Sequence, residues 1–165
     1  MKESEKDRIN KILNHDLFIK CVCKNEKAEE GRKFCRHDIT HFLDVARLAE
    51  LLNLYEKQEV DKELIYAAAL LHDIGRHIQY EDKTPHELAS AELAVKILEE
   101  CGFDDKEASV IIRAIRNHRN SFVQETLGID GLLYRADKMS RSCFACKVQK
   151  ECDWKEEKKN RSLIW

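Results

Sequence analysis

The chain's 165 residues suit one domain with a real core, and 43% hydrophobic with 36% charged residues is the make-up of a water-soluble, helix-rich protein. Its 29 Lys and Arg against 31 Asp and Glu leave a net charge of -2, so no global basic field supports extended nucleic-acid binding and a small substrate is expected. The opening Met1-Lys2-Glu3-Ser4-Glu5-Lys6 lacks a signal core, and no apolar run approaches the roughly 20 residues of a bilayer span, which predicts a cytoplasmic chain without a membrane partner.

One proline, five glycines and an abundance of Ala, Leu, Ile, Glu and Lys favour helices over sheet. A first helix is expected over about Ser4 to Lys20, with Ile9, Ile12, Leu13 and Leu17 as its apolar stripe. Cys21 to Lys33 is charged and reads as a long irregular connection. A second helix runs from about Phe34 to Asn53, where Phe34, His41, Val45, Leu48 and Leu52 share a face. The third is the almost wholly apolar run Leu64 to Leu71, which ends in His72-Asp73-Ile74-Gly75. For the fourth, Thr84 as cap, Pro85 in the first position and Glu87 in a capping box mark the start, and Gly102 marks the end. A fifth follows Asp104, with Ile111, Ala114, Ile115 and His118 on one side. The last core helix, about Ile129 to Arg141, turns Asp137 inward with Leu133. The expectation is all-α: a single-domain bundle of about six core helices.

Three His-Asp dipeptides occur, and context separates them. His15 shares a helical face with Arg8 and Lys11, a solvated surface, and is set aside. His37 stands four residues before His41 but lies between Arg36 and Asp38, which suits a pocket-lining role better than ligation. His72-Asp73 ends a buried helix, where an imidazole and a carboxylate need compensation. Hydrogen bonds to backbone or a bound cation would each provide it.

In chain order, His41-Phe42-Leu43-Asp44-Val45-Ala46, Leu70-Leu71-His72-Asp73-Ile74-Gly75-Arg76 and Ala136-Asp137-Lys138 resemble the HD-domain superfamily of metal-dependent phosphohydrolases. The resemblance covers about Phe34 to Arg141. It implies an HD metal-binding core over 34–141, preceded by an N-terminal helix and loop (1–33) and followed by a Cys-rich tail packed on the core (142–165). It further implies that His41, His72, Asp73 and Asp137 hold one metal. His86, in His86-Glu87-Leu88-Ala89-Ser90-Ala91, and His118, in Ala114-Ile115-Arg116-Asn117-His118, fit the two-metal members, in which Asp73 would bridge both ions. As isolated residues, each of these two would read as a helix-end or core histidine.

Imidazoles and carboxylates suit borderline divalent ions; Fe or Mn is preferred, with Co or Zn as alternatives. Two such ions would lower the pKa of a bound water towards neutrality and offset charge on a phosphoryl oxygen, so hydrolysis of a phosphate ester or anhydride is expected. Asp73, Arg76 and Lys138 are the catalytic candidates, the two cations by their place next to the ligand positions, with Arg119 a weaker phosphate contact. His37 and His77 are candidates for the general acid.

Seven cysteines, an odd number, argue for free thiols or metal ligands over a disulfide framework. Cys143, Cys146 and Cys152 have ligand spacing for Zn or an iron-sulfur cluster, Cys35 is the best fourth partner, and Cys21 or Cys23 are alternatives. Reduced thiols in a packed tail are the competing reading. Cys101 reads as a small buried hydrophobe, and Trp154 to Arg161 as a solvated charged helix anchored by Trp154.

The leading expectation is an HD-type phosphohydrolase acting on a nucleotide or other small phosphate compound. A di-iron oxygenase of the same superfamily and a non-catalytic nucleotide sensor are the alternatives. Selectivity is expected in the loops Arg76 to Lys83 and Asn120 to Gly128.

Overall fold

The computed structural model describes residues 7–163, and among these it is helical without a strand. The helices are α1 (Arg8–Leu13), α2 (Asp16–Ala28), α3 (Ile39–Tyr55), α4 (Lys62–Leu71), α5 (Arg76–Asp82), α6 (His86–Cys101), α7 (Asp105–Asn117) and α8 (Ile129–Met139). None of the described helices is long and apolar enough to cross a membrane. The centre is α4, whose Ile65, Ala67, Ala68, Ala69, Leu70 and Leu71 are all buried. It is apolar on every side because helices surround it: α3, α7, α8, α1 and α6 all pack on it. The alanine triplet lets those neighbours come close, and Phe42, Ile97, Ile111, Ile115, Leu132 and Leu133 fill the space around it.

The N-terminal third departs from the sequence expectation. Of the single helix expected over Ser4 to Lys20, Ser4 to Lys6 lie outside the described residues and the rest is two helices, broken at Asn14-His15. His15 is no idle surface residue: its Nδ1 accepts from the Leu17 N–H (3.1 Å) to cap α2, while Nε2 meets Glu100 at 2.7 Å. The expected irregular stretch from Cys21 is helical as far as Ala28. Phe18, Cys21 and Asn25 supply its buried face at helical spacing, and two of those three are not hydrocarbons, which hid the stripe.

Helix α3 begins at Ile39, later than Phe34, because the Asp38 carboxylate caps the Thr40 and His41 amides (3.0 and 3.1 Å). The segment Arg76 to Lys83, expected as a loop, is mostly α5, closed by Lys83 in the left-handed region (φ 71°). Thr84 does not cap α6; its own N–H donates to Asp82 (2.9 Å), and α6 starts at His86 without a side-chain cap. The box on α7 does form, with Asp104 and Glu107 exchanging bonds. Helix α8 stops at Met139, two residues short of Arg141. Beyond it, the charged helix expected over Trp154 to Arg161 is only a single turn at Glu156–Lys158.

Candidate metal centre

Five helices deliver six side chains to one place: His41 from α3, His72 as the last residue capping α4, Asp73 directly after it, His86 from the first turn of α6, His118 capping α7, and Asp137 from α8. His41 Nε2 lies 3.6 Å from Asp73 Oδ2 and 3.5 Å from Asp137 Oδ1. His72 Nε2 lies 3.4 Å and 3.7 Å from the same two atoms. On the other side of Asp73, Oδ1 is 3.1 Å from His86 Nε2 and 3.5 Å from His118 Nε2. Two clusters whose ligand atoms lie within 4.8 Å of one another therefore share Asp73: one with His41 and His72, one with His86 and His118.

The second bond of each imidazole decides which nitrogen faces inward. His72 Nδ1–H donates to the Ala69 carbonyl (2.7 Å), and His118 Nδ1–H to that of Ile115 (2.6 Å). His86 Nδ1–H donates to Gln79 Oε1 (2.6 Å), and Ser140 Oγ stands 3.4 Å from His41 Nδ1. In their neutral forms, with the proton on Nδ1, His72, His86 and His118 would present Nε2 lone pairs to the interior, the tautomer that metal ligation requires. The Nε2 atoms of His86 and His118 then face each other at 3.2 Å with no proton of their own to share. His41 Nε2, His72 Nε2 and Asp73 Oδ1 are buried without any hydrogen-bond partner. Native interiors rarely leave three such atoms orphaned at one point, and the imidazole-carboxylate donor set fits borderline divalent ions.

Without a cation the cluster distorts its own proton equilibria. Burial opposes charge on His72, yet Asp73 and Asp137 outweigh it and push that imidazole up to about 10. Burial also disfavours ionised Asp73 and Asp137, but the surrounding imidazoles hold both carboxyls well below the usual carboxylate range. His86 goes the other way, down to about 4, because burial and the charge of Arg76 prevail over Asp73. A divalent cation would take over the compensating role of those protons.

The cluster opens on a cavity of about 690 Å³. At its edge Arg76 donates through one guanidinium nitrogen to His37 Nε2 (3.1 Å). Another lies 2.9 Å from His86 Nδ1, whose proton goes to Gln79, and 3.3 Å from His86 Nε2, the ring atom able to accept from it, and the Arg76 Nε is buried without a partner. His37 is held by Glu29, whose oxygens accept from the His37 ring Nδ1–H (2.7 Å) and backbone N–H (2.8 Å). Glu29 also accepts from the Tyr80 hydroxyl (2.7 Å). Burial alone would raise the Glu29 carboxyl, but His37 and Tyr80 bring it down to about 2. Sequence reasoning missed Glu29, Asn25, Gln79 and Tyr80; the first two lie on the part of α2, and at its end, that read as a loop.

His37, Arg76, Arg119 and Lys138 line the cavity as expected for pocket residues. Arg119 sits at its rim in an ion pair with Glu87 (3.2 Å), and Lys138 is engaged with its neighbour Asp137 and the His118 carbonyl. His77 is the exception. It is buried against Asn25, which accepts from its backbone N–H (2.8 Å) and lies 3.0 Å from its ring Nδ1, and it is not among the residues that line the cavity. Cys35, Cys143, Cys146 and Cys152 line the outer part of the same cavity, but in the described orientations no three of their sulfurs lie within 4.8 Å of one another. Cys21 and Cys23 lie on α2 and do not reach it; Cys21 and Cys101 are core residues.

The sequence profile of the HD domain matches residues 38–149. An uncharacterized protein of Clostridium beijerinckii is 46% identical over 96% of this chain and 99% of its own length. Ribonuclease Y of Enterococcus faecalis is 36% identical over 62% of this chain, and that of Acetivibrio thermocellus 33% identical over 76%. This chain spans only 18% and 22% of those two proteins. Among solved structures, one described as a predicted HD superfamily hydrolase from an uncultured Thermotogales bacterium superposes with a TM-score of 0.61 at 26% identity, covering 86% of this chain and 80% of the other.

Proposed function

The chain belongs to the HD-domain family of metal-binding hydrolases, and from that premise we propose that it is a phosphohydrolase cleaving a phosphate ester or anhydride of a nucleotide or other small phosphate compound. The observation that carries this reading is the pair of donor clusters around Asp73, with facing Nε2 lone pairs and orphaned buried atoms that two divalent cations would satisfy. In the proposed assignment His41, His72 and Asp137 serve one ion, His86 and His118 the other, and Asp73 both. Fe or Mn is the preferred metal. Such ions supply Lewis acidity towards a phosphoryl oxygen and acidify water near neutral pH.

The chain's own groups then bind and orient. Arg76 has no carboxylate partner among the described residues, and the guanidinium donors that His37 and His86 do not use would serve a phosphate oxygen beside the cluster. Glu29 fixes the His37 tautomer with Nε2 towards Arg76, which keeps the guanidinium at the cluster edge. Lys138 neutralises and holds Asp137. Phe42, fully buried, backs the inner side, its ring meeting those of His41 and His72 edge-on with centroids 6.0 and 5.7 Å apart.

A second reading, hydrolysis of a phosphodiester bond in RNA, is supported by the similarity to ribonuclease Y, restricted as it is to about a fifth of that protein. Metal-free protein reloaded with Mn or Fe and offered nucleotides, phosphate monoesters and short RNA distinguishes the two by which substrate releases product. Metal-dependent release from the small compounds is expected. Release from RNA alone would select the second reading, and no release from any substrate with the metals loaded would overturn both. Oxygen uptake that Mn cannot support would point instead to a di-iron oxygenase.

A further inference from the structure

The chain after Met139 raises a physical problem of its own. Its turns at Cys143–Ala145, Gln149–Glu151 and Glu156–Lys158 bury no residue, and Phe144 and Trp154 are 43% and 44% exposed. Some twenty residues are thus folded over the mouth of the cavity without a core to hold them. Hydrogen bonds help at one end, where Asn160 Nδ2 donates to the carbonyls of Lys138, Met139 and Arg141 (2.9, 3.2 and 2.8 Å). Small segments that lack a hydrophobic core are commonly held by disulfides or structural metals.

Four thiols line that same stretch of wall. Cys143 and Cys146 are brought together by a turn in which the Cys146 N–H donates to the Cys143 carbonyl (3.2 Å). Gln149 donates to that carbonyl as well (3.0 Å), and its own carbonyl accepts from the Cys152 N–H (3.4 Å), which ties the third cysteine to the first two. Cys35 arrives from the segment between α2 and α3, where the Arg32 guanidinium donates to its carbonyl (2.6 Å). Its thiol is pushed up by burial and then by the nearness of Cys143 and Cys146. None of the four is in a disulfide.

We propose that Cys35, Cys143, Cys146 and Cys152 form a structural Zn²⁺ site that staples the tail to the segment before α3, separate from the histidine-aspartate cluster. Four thiolates around one tetrahedral ion leave no open position, so the site holds the tail and does no chemistry. Turning χ1 from one rotamer to another carries a sulfur about 3 Å, the scale of movement that closes the four onto an ion. Binding releases the thiol protons.

Cobalt tests this on the full chain. The inner cluster contains no sulfur, so an intense near-ultraviolet thiolate-to-cobalt band on adding Co²⁺ to metal-free, reduced protein reports the cysteines alone. The band is expected, and its loss is expected in C143S/C146S with the helical circular dichroism retained. As a second measurement, alkylation with mass spectrometry on wild-type protein should find Cys35, Cys143, Cys146 and Cys152 protected by Zn²⁺ and exposed by chelation, with Cys23 labelled in both. Absence of the band, equal labelling with and without Zn²⁺, or a disulfide linking Cys35 to the tail would overturn the site.

Discussion

The inner and outer walls of the cavity both present metal-capable side chains, but they are built in opposite ways. On the inner wall, each imidazole sits at a helix end or on a helix packed against α4, and a second bond to Ala69, Ile115 or Gln79 orients His72, His118 and His86. Those bonds and the surrounding buried side chains fix the ligand atoms before any cation arrives, so the cluster is preorganised and the vacant hydrogen-bond positions mark where charge belongs. On the outer wall, the cysteines sit on turns without buried neighbours, and their sulfurs are not drawn together. There the ion would have to supply the order that packing does not. A preorganised site is visible in side-chain geometry; a site that folds with its metal is visible chiefly in what the segment lacks.

Four substitutions probe this contrast, in descending order of expected effect. Asp73→Ala removes the carboxylate common to both inner clusters, and metal-dependent turnover should fall to background while the thiolate-cobalt band of the outer wall survives. Gly75→Ala should destabilise the fold by about 1–3 kcal/mol, since a Cβ there would come within 2.5 Å of the Ser90 backbone nitrogen and 2.8 Å of Ala89. Thermal unfolding measures it, and an unchanged midpoint would mean that α5 and α6 are not as closely apposed as described. Asn160→Ala should cost about 1–2 kcal/mol confined to the tail, seen as faster proteolysis after Arg141 at an unchanged global midpoint. Zinc should slow that cleavage. The smallest effect belongs to His15→Ala, which loses the α2 cap for about 1 kcal/mol and leaves turnover intact.

What the sequence made legible follows the same division. The helical fold, the buried run before His72 and the end of α6 at Gly102 follow from hydrophobic periodicity and glycine chemistry, and the structure has them. His41, His72, Asp73, His86, His118 and Asp137 could be named because their motifs stand in family order, and the structure brings all six together. Helix α2 was hidden because its inward positions are Cys21 and Asn25 as well as Phe18, so hydropathy shows no stripe. With it went Glu29, whose role depends on His37 and Tyr80, eight and 51 residues away in sequence. His77 looked like a pocket residue from its place beside Arg76, but one step along α5 turns it away from the cavity lining, against Asn25. Chain adjacency to a motif does not carry orientation; helical phase does.

The most direct test of the inner site is an anomalous diffraction map from crystals grown with Mn²⁺ or Fe²⁺. Two peaks are predicted, one among His41, His72, Asp73 and Asp137 and one among Asp73, His86 and His118, both touching Asp73. Density confined to a single ion that misses Asp73, or no peak at all with the histidines still paired to the carboxylates, would contradict the two-metal account.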